Sequence, residues 1–295
     1  MSTGRLCVFG EVLFDHFPDG QRVLGGAPFN VAWHLHAFGQ RPYFISRIGD
    51  DAEGNEIRSA MVEWGMDVSG LGTDPRLPTG RVDIHFDDGE PAYDIICPSA
   101  YDAIETGLPA GNCRLMYHGS LALREARSRE TLQRLRSCNP GSLFVDVNLR
   151  PPWWRREELR AMLRGAHWVK LNVHELAELQ DTGTAETSGA AAFLATYQLR
   201  GLIVTHGSKG AEIWTADGGC ISASPKGDIE VVDTVGAGDA FASVIILGIA
   251  SDWPLDVTLQ RAQAFASGVV GRRGATVRDR DFYRTFIDAW NLDRK

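Results

Sequence analysis

Short apolar runs recur along this chain, and each is followed by a longer stretch of helical period. Leu6-Cys7-Val8-Phe9-Gly10, Pro42 to Gly49, Leu115 to Gly119, Leu143 to Val147, Trp168 to Leu171 and Leu202 to His206 read as strands buried on both faces. Between them, Val31, Leu35 and Phe38 make an apolar stripe, with Pro28 in its first turn and Gly39 as the C-cap. Further helices are predicted from Asp50-Asp51-Ala52 to about Trp64, over Glu125–Ser137, Trp153–Arg164, Val173–Gln180, Gly189–Gln198, Ala240–Ala250 and Leu255–Val270. A last one opens in the mixed-charge run Arg278 to Arg284 and ends near Trp290. From about Asn112 the βα alternation is regular, which predicts an α/β fold with a parallel sheet covered by helices on both faces.

Other segments keep a different rhythm. Thr79–Phe86 and Ala92–Cys97 alternate polar with apolar residues around the turn Asp87-Asp88-Gly89-Glu90, and so read as a half-exposed hairpin. Glu11 to Phe17 alternates imperfectly and stops at Pro18-Asp19-Gly20. Ala211–Thr215 and Gly219–Ala223 read as an edge hairpin. With no tandem repeat or long linker, residues 1–295 read as one domain.

Polar clusters follow three of the buried strands: Asp146 to Arg150, Asn172 to Glu175, and Thr205 to Gly210. Ligands of parallel sheets sit at the carboxyl ends of the strands, so these clusters point to one shared site. Val232-Asp233-Thr234-Val235-Gly236-Ala237-Gly238-Asp239 joins the short run Ile229–Val232, a strand or loop, to the apolar helix from Ala240. Glycines at a helix start let unpaired N–H groups converge on an anion. A carboxylate beside such a cradle repels phosphate, but it suits a base taking the proton from a hydroxyl that attacks phosphate, which is the expectation for Asp239. A plain glycine-rich turn is the bland alternative. A dinucleotide fingerprint would need Gly or Ala where Phe241 stands, and no Walker loop occurs.

Gly25-Gly26-Ala27-Pro28-Phe29-Asn30 offers close backbone approach and, in Asn30, a donor and an acceptor for a sugar hydroxyl, or simply a helix cap. Asp15 stands at a strand end, where a solvated carboxylate is equally expected. His34 and His36 lie two apart, on different helix faces, and do not form a metal pair.

The 295 residues are 44% hydrophobic and 23% charged, enough for a large core. A net charge of −8 argues against general nucleic-acid or membrane-surface binding. Cys7, Cys97, Cys113, Cys138 and Cys220 are widely spaced and form no zinc or disulfide pattern. No signal-like start or membrane-length apolar run is seen, so a cytoplasmic protein is expected.

The string Asp-Thr-x-Gly-Ala-Gly-Asp at 233–239, preceded by Gly-Gly-x-x-x-Asn at 25–30, resembles the paired signatures of the ribokinase-like (PfkB) carbohydrate kinases, in order and separation. Gly49, Asp51 and Gly54 match a third family pattern. Gly-Glu-Val-Leu-Phe-Asp at 10–15 is most similar to the fructokinase branch. The resemblance spans nearly the whole chain. It implies a ribokinase-like three-layer αβα sandwich with a small β lid formed by about 12–24 and 77–98. It also implies an ATP- and Mg2+-dependent kinase that phosphorylates a primary hydroxyl of a sugar, with fructose giving fructose 6-phosphate. Other implied acceptors are 2-keto-3-deoxygluconate or a nucleoside. A catalytically silent sugar binder on the same fold is the alternative from another class, and a nicotinamide-dependent enzyme is excluded by the absence of a first-strand glycine fingerprint.

By this resemblance Asp239 is the base, and the N–H groups of Gly236, Ala237 and Gly238 form the anion hole. Asp15, Gly26 and Asn30 hold the sugar; Arg81 and Tyr93 either face it from the lid or are solvated lid residues. Arg150 either neutralises the transferred phosphate or makes a structural salt bridge. Asn172 and Glu175 position nucleotide phosphate and magnesium, partly through water, or simply cap their helix. Thr205, Gly207 and Gly210 line the nucleotide, and Lys209 either approaches its phosphates or is simply solvated. Asp233, Val235 and the Gly271–Ala275 loop supply oxygens for a potassium ion, although Thr276-Val277-Arg278 departs from cation-activated relatives and puts potassium dependence in doubt. A homodimer through the lid strands is a further expectation.

Overall fold

The computed structural model describes residues 4–87, 90–105, 113–138, 141–180, 187–226 and 230–292. β1 (Arg5–Phe9) is buried on both faces: Leu6 and Val8 enter one apolar cluster, Cys7 and Phe9 the other. That alternation follows from the two-residue period of a strand. The chain then forms β2 (Leu13–His16), β3 (Arg22–Gly25), α1 (Ala27–Ala37), β4 (Tyr43–Gly49), α2 (Ala52–Trp64) and β5 (Leu71–Asp74). β6 (Gly80–Asp87) and β7 (Glu90–Ile95) follow; the tip of the turn expected between them, Asp88-Gly89, lies outside the described residues, as do Asn112 and Ile229. Next come β8 (Cys113–His118), α3 (Ala126–Cys138), β9 (Ser142–Asp146), α4 (Arg156–Leu163), β10 (Trp168–Asn172), α5 (Val173–Leu179), α6 (Thr187–Tyr197) and β11 (Gly201–Thr205). The chain closes with β12 (Ala211–Thr215), β13 (Cys220–Ala223), α7 (Ala237–Ala250), α8 (Leu255–Val270) and α9 (Arg280–Trp290).

The main sheet has nine strands in the order β13-β12-β11-β10-β9-β8-β1-β4-β5. All its pairings are parallel except those of β12 and β13, the edge hairpin. α1, α2, α7, α8 and α9 pack on one face, and α3 to α6 on the other. This is a three-layer αβα sandwich with the sheet in the middle. From β1 the chain runs out to β4 and β5, then returns to the other side of β1 with β8. Strand order reverses there, and crevices for ligands open at the carboxyl ends beside such a reversal.

The smaller sheet, β3-β2-β6-β7, pairs β2 with β6 in parallel and its other strands antiparallel. Leu13, Asp15, Val82 and Ile95 share one face by register, and Phe14, His16 and Arg81 the other. Leu13, Val82 and Ile95 belong to the same buried cluster as Leu121, Ala122 and Leu123 after β8. The small sheet therefore sits over the carboxyl edge of the large one, with the Asp15 face inward. Phe14 joins the opposite core, while His16 contacts Glu53 on α2 at 2.8 Å.

Candidate active site

α7 begins earlier than its apolar run suggests. Gly236 is its N-cap, in the left-handed region at φ 78°, so Ala237, Gly238 and Asp239 form the first helical turn. A Cβ on Gly236 would lie 2.3 Å from the Cβ of Ala275. Glycine is needed there both for the backbone angle and for the close approach of the 271–275 loop. No side chain caps this helix. Ala237 N–H reaches only the Thr234 carbonyl at 3.3 Å, and no acceptor among the described residues takes the N–H groups of Gly236 and Gly238. Gly238 is exposed, so the helix start opens on solvent with donors to spare.

Asp239 is half-buried beside those donors. Its Oδ2 accepts a 2.8 Å hydrogen bond from Asn30 Nδ2 on α1. Burial pushes the Asp239 carboxyl up to about 6; the Asn30 bond and the charges of Lys170 and Arg150 pull against this, and Asp146 adds to it. The buried Oδ1 of Asn30 has no partner. One end of this amide thus holds Asp239, while the other is an acceptor in need of a hydroxyl.

Gly25 lies between Asn30 and Asp15: a Cβ there would be 3.6 Å from Asp15 Oδ2 and 4.0 Å from Asn30 Oδ1. Burial pushes the Asp15 carboxyl up to about 6, against Arg150 and His16. Gly26 has a structural task. It is the α1 N-cap at φ 108°, and a Cβ would meet the Glu11 carbonyl at 2.8 Å. It brings two backbone segments together, and Gly25 is the glycine that leaves room beside the polar groups. Arg81 is likewise not among them. Strand alternation turns it to the face opposite Asp15, where it pairs with Asp83. Tyr93 is on the Asp15 face and 59% exposed. Exposed Arg150 follows β9, and its charge acts on Glu11, Asp15 and Asp239. Its guanidinium donates to the Leu149 carbonyl at 3.4 Å.

Along the same edge, Asn172 Oδ1 accepts from the N–H groups of His174 and Glu175, both at 2.9 Å. Glu175 returns a bond from Asn172 N–H to Oε2 and takes Leu149 N–H on Oε1, both at 2.8 Å. This is a capping box that also pins the segment leading to Arg150. Asn172 stands in register with Thr205 on β11, beside the turn closed by His206 N–H to Gly210 O at 2.8 Å. Gly207 and Gly210 hold positive φ in that turn, and Lys209 is exposed. Asp233 clasps two loops: Oδ1 accepts from Val235 N–H and Oδ2 from Gly274 N–H, each at 2.9 Å. Val235 itself is 49% exposed. Among the described residues no group of three or more His, Cys, Asp or Glu is placed to hold a metal. A magnesium ion here would take its oxygens chiefly from phosphate and water, a fit that suits its reluctance to dehydrate. His34 and His36 meet Tyr283 and the Trp64 carbonyl, at 2.9 and 3.1 Å.

The sequence singled out neither Glu11 nor Lys170, and marked Asp146 only as part of the cluster at the carboxyl end of β9. Glu11 is buried at the end of β1, with Oε2 unpartnered, and burial pushes its carboxyl up to about 7. Lys170 and Asp146 form a buried ion pair at 2.9 and 3.0 Å. A lysine and an aspartate inside apolar parallel strands were the available signal.

The sequence matches the pfkB family of carbohydrate kinases over residues 6–280. It is 31% identical to a fructokinase of Klebsiella pneumoniae over 266 residues, covering 84% of this chain and 85% of that protein. Its structure superposes with a TM-score of 0.80 on a double mutant of Vibrio cholerae fructokinase bound to fructose, ADP and potassium, at 26% identity and over 96% of this chain and 98% of that one. A Salmonella enterica aminoimidazole riboside kinase, complexed with its riboside and an ATP analogue, gives a TM-score of 0.82 at 26% identity over 96% and 99%. No helix among the described residues is long and apolar enough to cross a membrane.

Proposed function

Because the chain belongs to the pfkB family of carbohydrate kinases, and is an ATP-dependent sugar kinase, we propose that it phosphorylates fructose to fructose 6-phosphate, with Asp239 as the base. The observation that carries the chemistry is the carboxylate of Asp239, bonded to Asn30 and half-buried beside the uncapped first turn of α7. In this reading the sugar lies between the small sheet and the carboxyl edge near β1. Asn30 Oδ1 and Asp15 accept its hydroxyl protons. Asp239 takes the proton of the attacking primary hydroxyl as oxygen bonds to the γ-phosphorus of ATP and ADP leaves. The N–H groups of Gly236, Ala237 and Gly238 stabilise charge on the transferring group, and Arg150 closes the site over it. Asn172, Thr205, Gly207, Lys209 and Gly210 border the nucleotide, and Glu175 contributes to magnesium through water. The small sheet acts as a lid that keeps water from competing as acceptor. Asp233 and Val235, with the loop that Asp233 holds, supply the place for a monovalent cation.

The choice of fructose rests on the similarity to fructokinases and on the Gly10–Asp15 string. The riboside kinase likeness makes a ribosyl acceptor the second reading. ADP release from ATP-Mg2+ against fructose, 2-keto-3-deoxygluconate, ribose and aminoimidazole riboside, with and without potassium, decides between them. Fructose is expected to lead in kcat/KM by about a hundredfold, roughly 2.7 kcal/mol of transition-state preference. Another acceptor leading by that margin overturns the substrate assignment and leaves the phosphotransfer chemistry intact.

A further inference from the structure

Lys170 occupies a place where a buried parallel strand ordinarily carries an apolar side chain. β10 lies between β9 and β11, and the neighbours Val169 and Leu171 are fully buried. An ammonium is costly to bury unless it is paired. Its pair is Asp146, directly across in register on β9, whose two oxygens accept from Nζ at 3.0 and 2.9 Å. The Tyr117 hydroxyl on β8 donates to the same carboxylate at 3.3 Å. Two of the three ammonium protons are thereby accounted for.

The pair sits at the start of α7. A Cβ placed on Gly238 would lie 3.7 Å from Lys170 Nζ, its nearest neighbour there. Cations normally gather at helix C-termini, because the N-terminus already carries partial positive charge. Here a lysine is pressed against the positive end of an uncapped helix. A pair of apolar residues would pack these strands at lower desolvation cost. Two positive features converging on one point make sense where an anion completes them.

We propose that Lys170, fixed by Asp146, is a positioning residue of the phosphoryl-transfer site: its charge beneath the first turn of α7 keeps Asp239 in the carboxylate form and strengthens the hold of that turn on the transferred phosphoryl group. This rests on the reading of Asp239 as the base. The groups that act on Asp239 are Asn30 from α1, Asp146 from β9, Lys170 from β10 and Arg150 after β9; Asp239 in turn acts on Glu11 after β1 and Tyr117 on β8. Glu175 on α5 acts on Lys170. Burial works against the charge on Lys170, yet Asp146, Glu175 and Asp239 together outweigh it and hold the ammonium above its ordinary pKa. Lys170 is therefore a permanent charge over the working range.

The test is the pH profile of kcat/KM, from about pH 5 to 9, for the best acceptor in the sugar panel. Lys170→Met should move the acidic limb up by about one pH unit and lower the plateau, since an opposite charge has been removed from beside the base. Lys170→Arg should restore the limb. Asp146→Asn should move it down, because a like charge has gone. Opposite shifts from the two halves of one ion pair are not what a packing role produces. If Lys170→Met does not fold, judged by circular dichroism, Asp146→Asn and Lys170→Arg carry the test. Limbs unmoved in the folded variants, with only the plateau lowered, overturn the inference. Asp239→Asn separates the two ideas: a kcat within about tenfold of the unmodified enzyme sinks the base assignment, while a larger fall together with unmoved limbs sinks only the role of Lys170.

Discussion

Asn30 Nδ2 donates to Asp239 Oδ2 at 2.8 Å across 209 residues of sequence, tying the first helix of the chain to the helix that carries the proposed base. A hydrogen bond to a carboxylate contributes about 1.5–3 kcal/mol. Asn30→Ala is therefore expected to lower kcat/KM by about 10- to 100-fold. It should also raise the pH of the acidic limb, because this bond favours the ionised form of Asp239. A pH profile of the variant checks both effects. A loss confined to the KM of the sugar would mean that Asn30 only binds the acceptor.

Asp239→Asn keeps the shape of the site and removes the proton acceptor. General-base contributions are typically 10²- to 10⁴-fold, so kcat should fall by about that factor while calorimetric sugar affinity stays within about threefold. In the unmodified enzyme the carboxyl is pushed by burial to about 6, and the base must be deprotonated to work. Activity should thus rise with pH through about 6 and level off above it. A flat profile down to pH 4.5 would assign the proton to another acceptor.

Much of this site could be read from the chain, and what escaped did so for identifiable reasons. α8 runs over Leu255–Val270 as the apolar period indicates. α7 starts at Ala237, not Ala240, because a hydrophobic period does not see a left-handed N-cap at Gly236. β5 was not anticipated: Leu71-Gly72-Thr73-Asp74 has little strand character, and its conformation comes from pairing with β4. α4 starts at Arg156, so Trp153 and Trp154 stand outside it and pack on the core instead. Asp239 and Asn30 were legible because glycine strings frame them. Lys170, Asp146 and Glu11 come together only through strand order, which local patterns do not encode. Which of the two readings of Arg81 applies is a matter of register, where a single residue reverses inside and outside.

Gly236→Ala should be far more disruptive than an ordinary glycine substitution. The φ of 78° strains any L side chain, and the new Cβ would lie 2.3 Å from Ala275 Cβ and 2.6 Å from its Cα. Relief requires the 271–275 loop to move away from the start of α7, which pulls on the Asp233–Gly274 bond. The expected result is a fold retained by circular dichroism, a kcat at least about tenfold lower and a weakened response to potassium if the enzyme has one. Near-normal kcat would show that the anion hole tolerates displacement of its N-cap.

The last prediction concerns stability. Glu11 is 3% exposed, leaves Oε2 without a partner and has its carboxyl pushed by burial from 4.5 to about 7, with Arg150 opposing and Asp239 adding to the rise. A carboxyl whose pKa is higher in the fold than in the unfolded chain contributes stability at low pH, where it is protonated in both states. That contribution is lost as pH rises from about 4.5 through about 7. The span of about 2.5 pH units corresponds to roughly 3 kcal/mol at most. Glu11→Gln cannot ionise, so its stability relative to the unmodified protein should be about equal near pH 4.5 and should grow to as much as roughly 3 kcal/mol by pH 8, a rise of several degrees in Tm. Asp15, pushed up to about 6, imposes the same trend on both proteins and cancels in the difference, whereas Asp239 is coupled to Glu11 and its part of the trend belongs to the difference. Thermal unfolding of the pair from pH 4.5 to 8 is the measurement. Parallel Tm curves would mean that Glu11 is ionised in the fold at no cost, with Arg150 close enough to neutralise it.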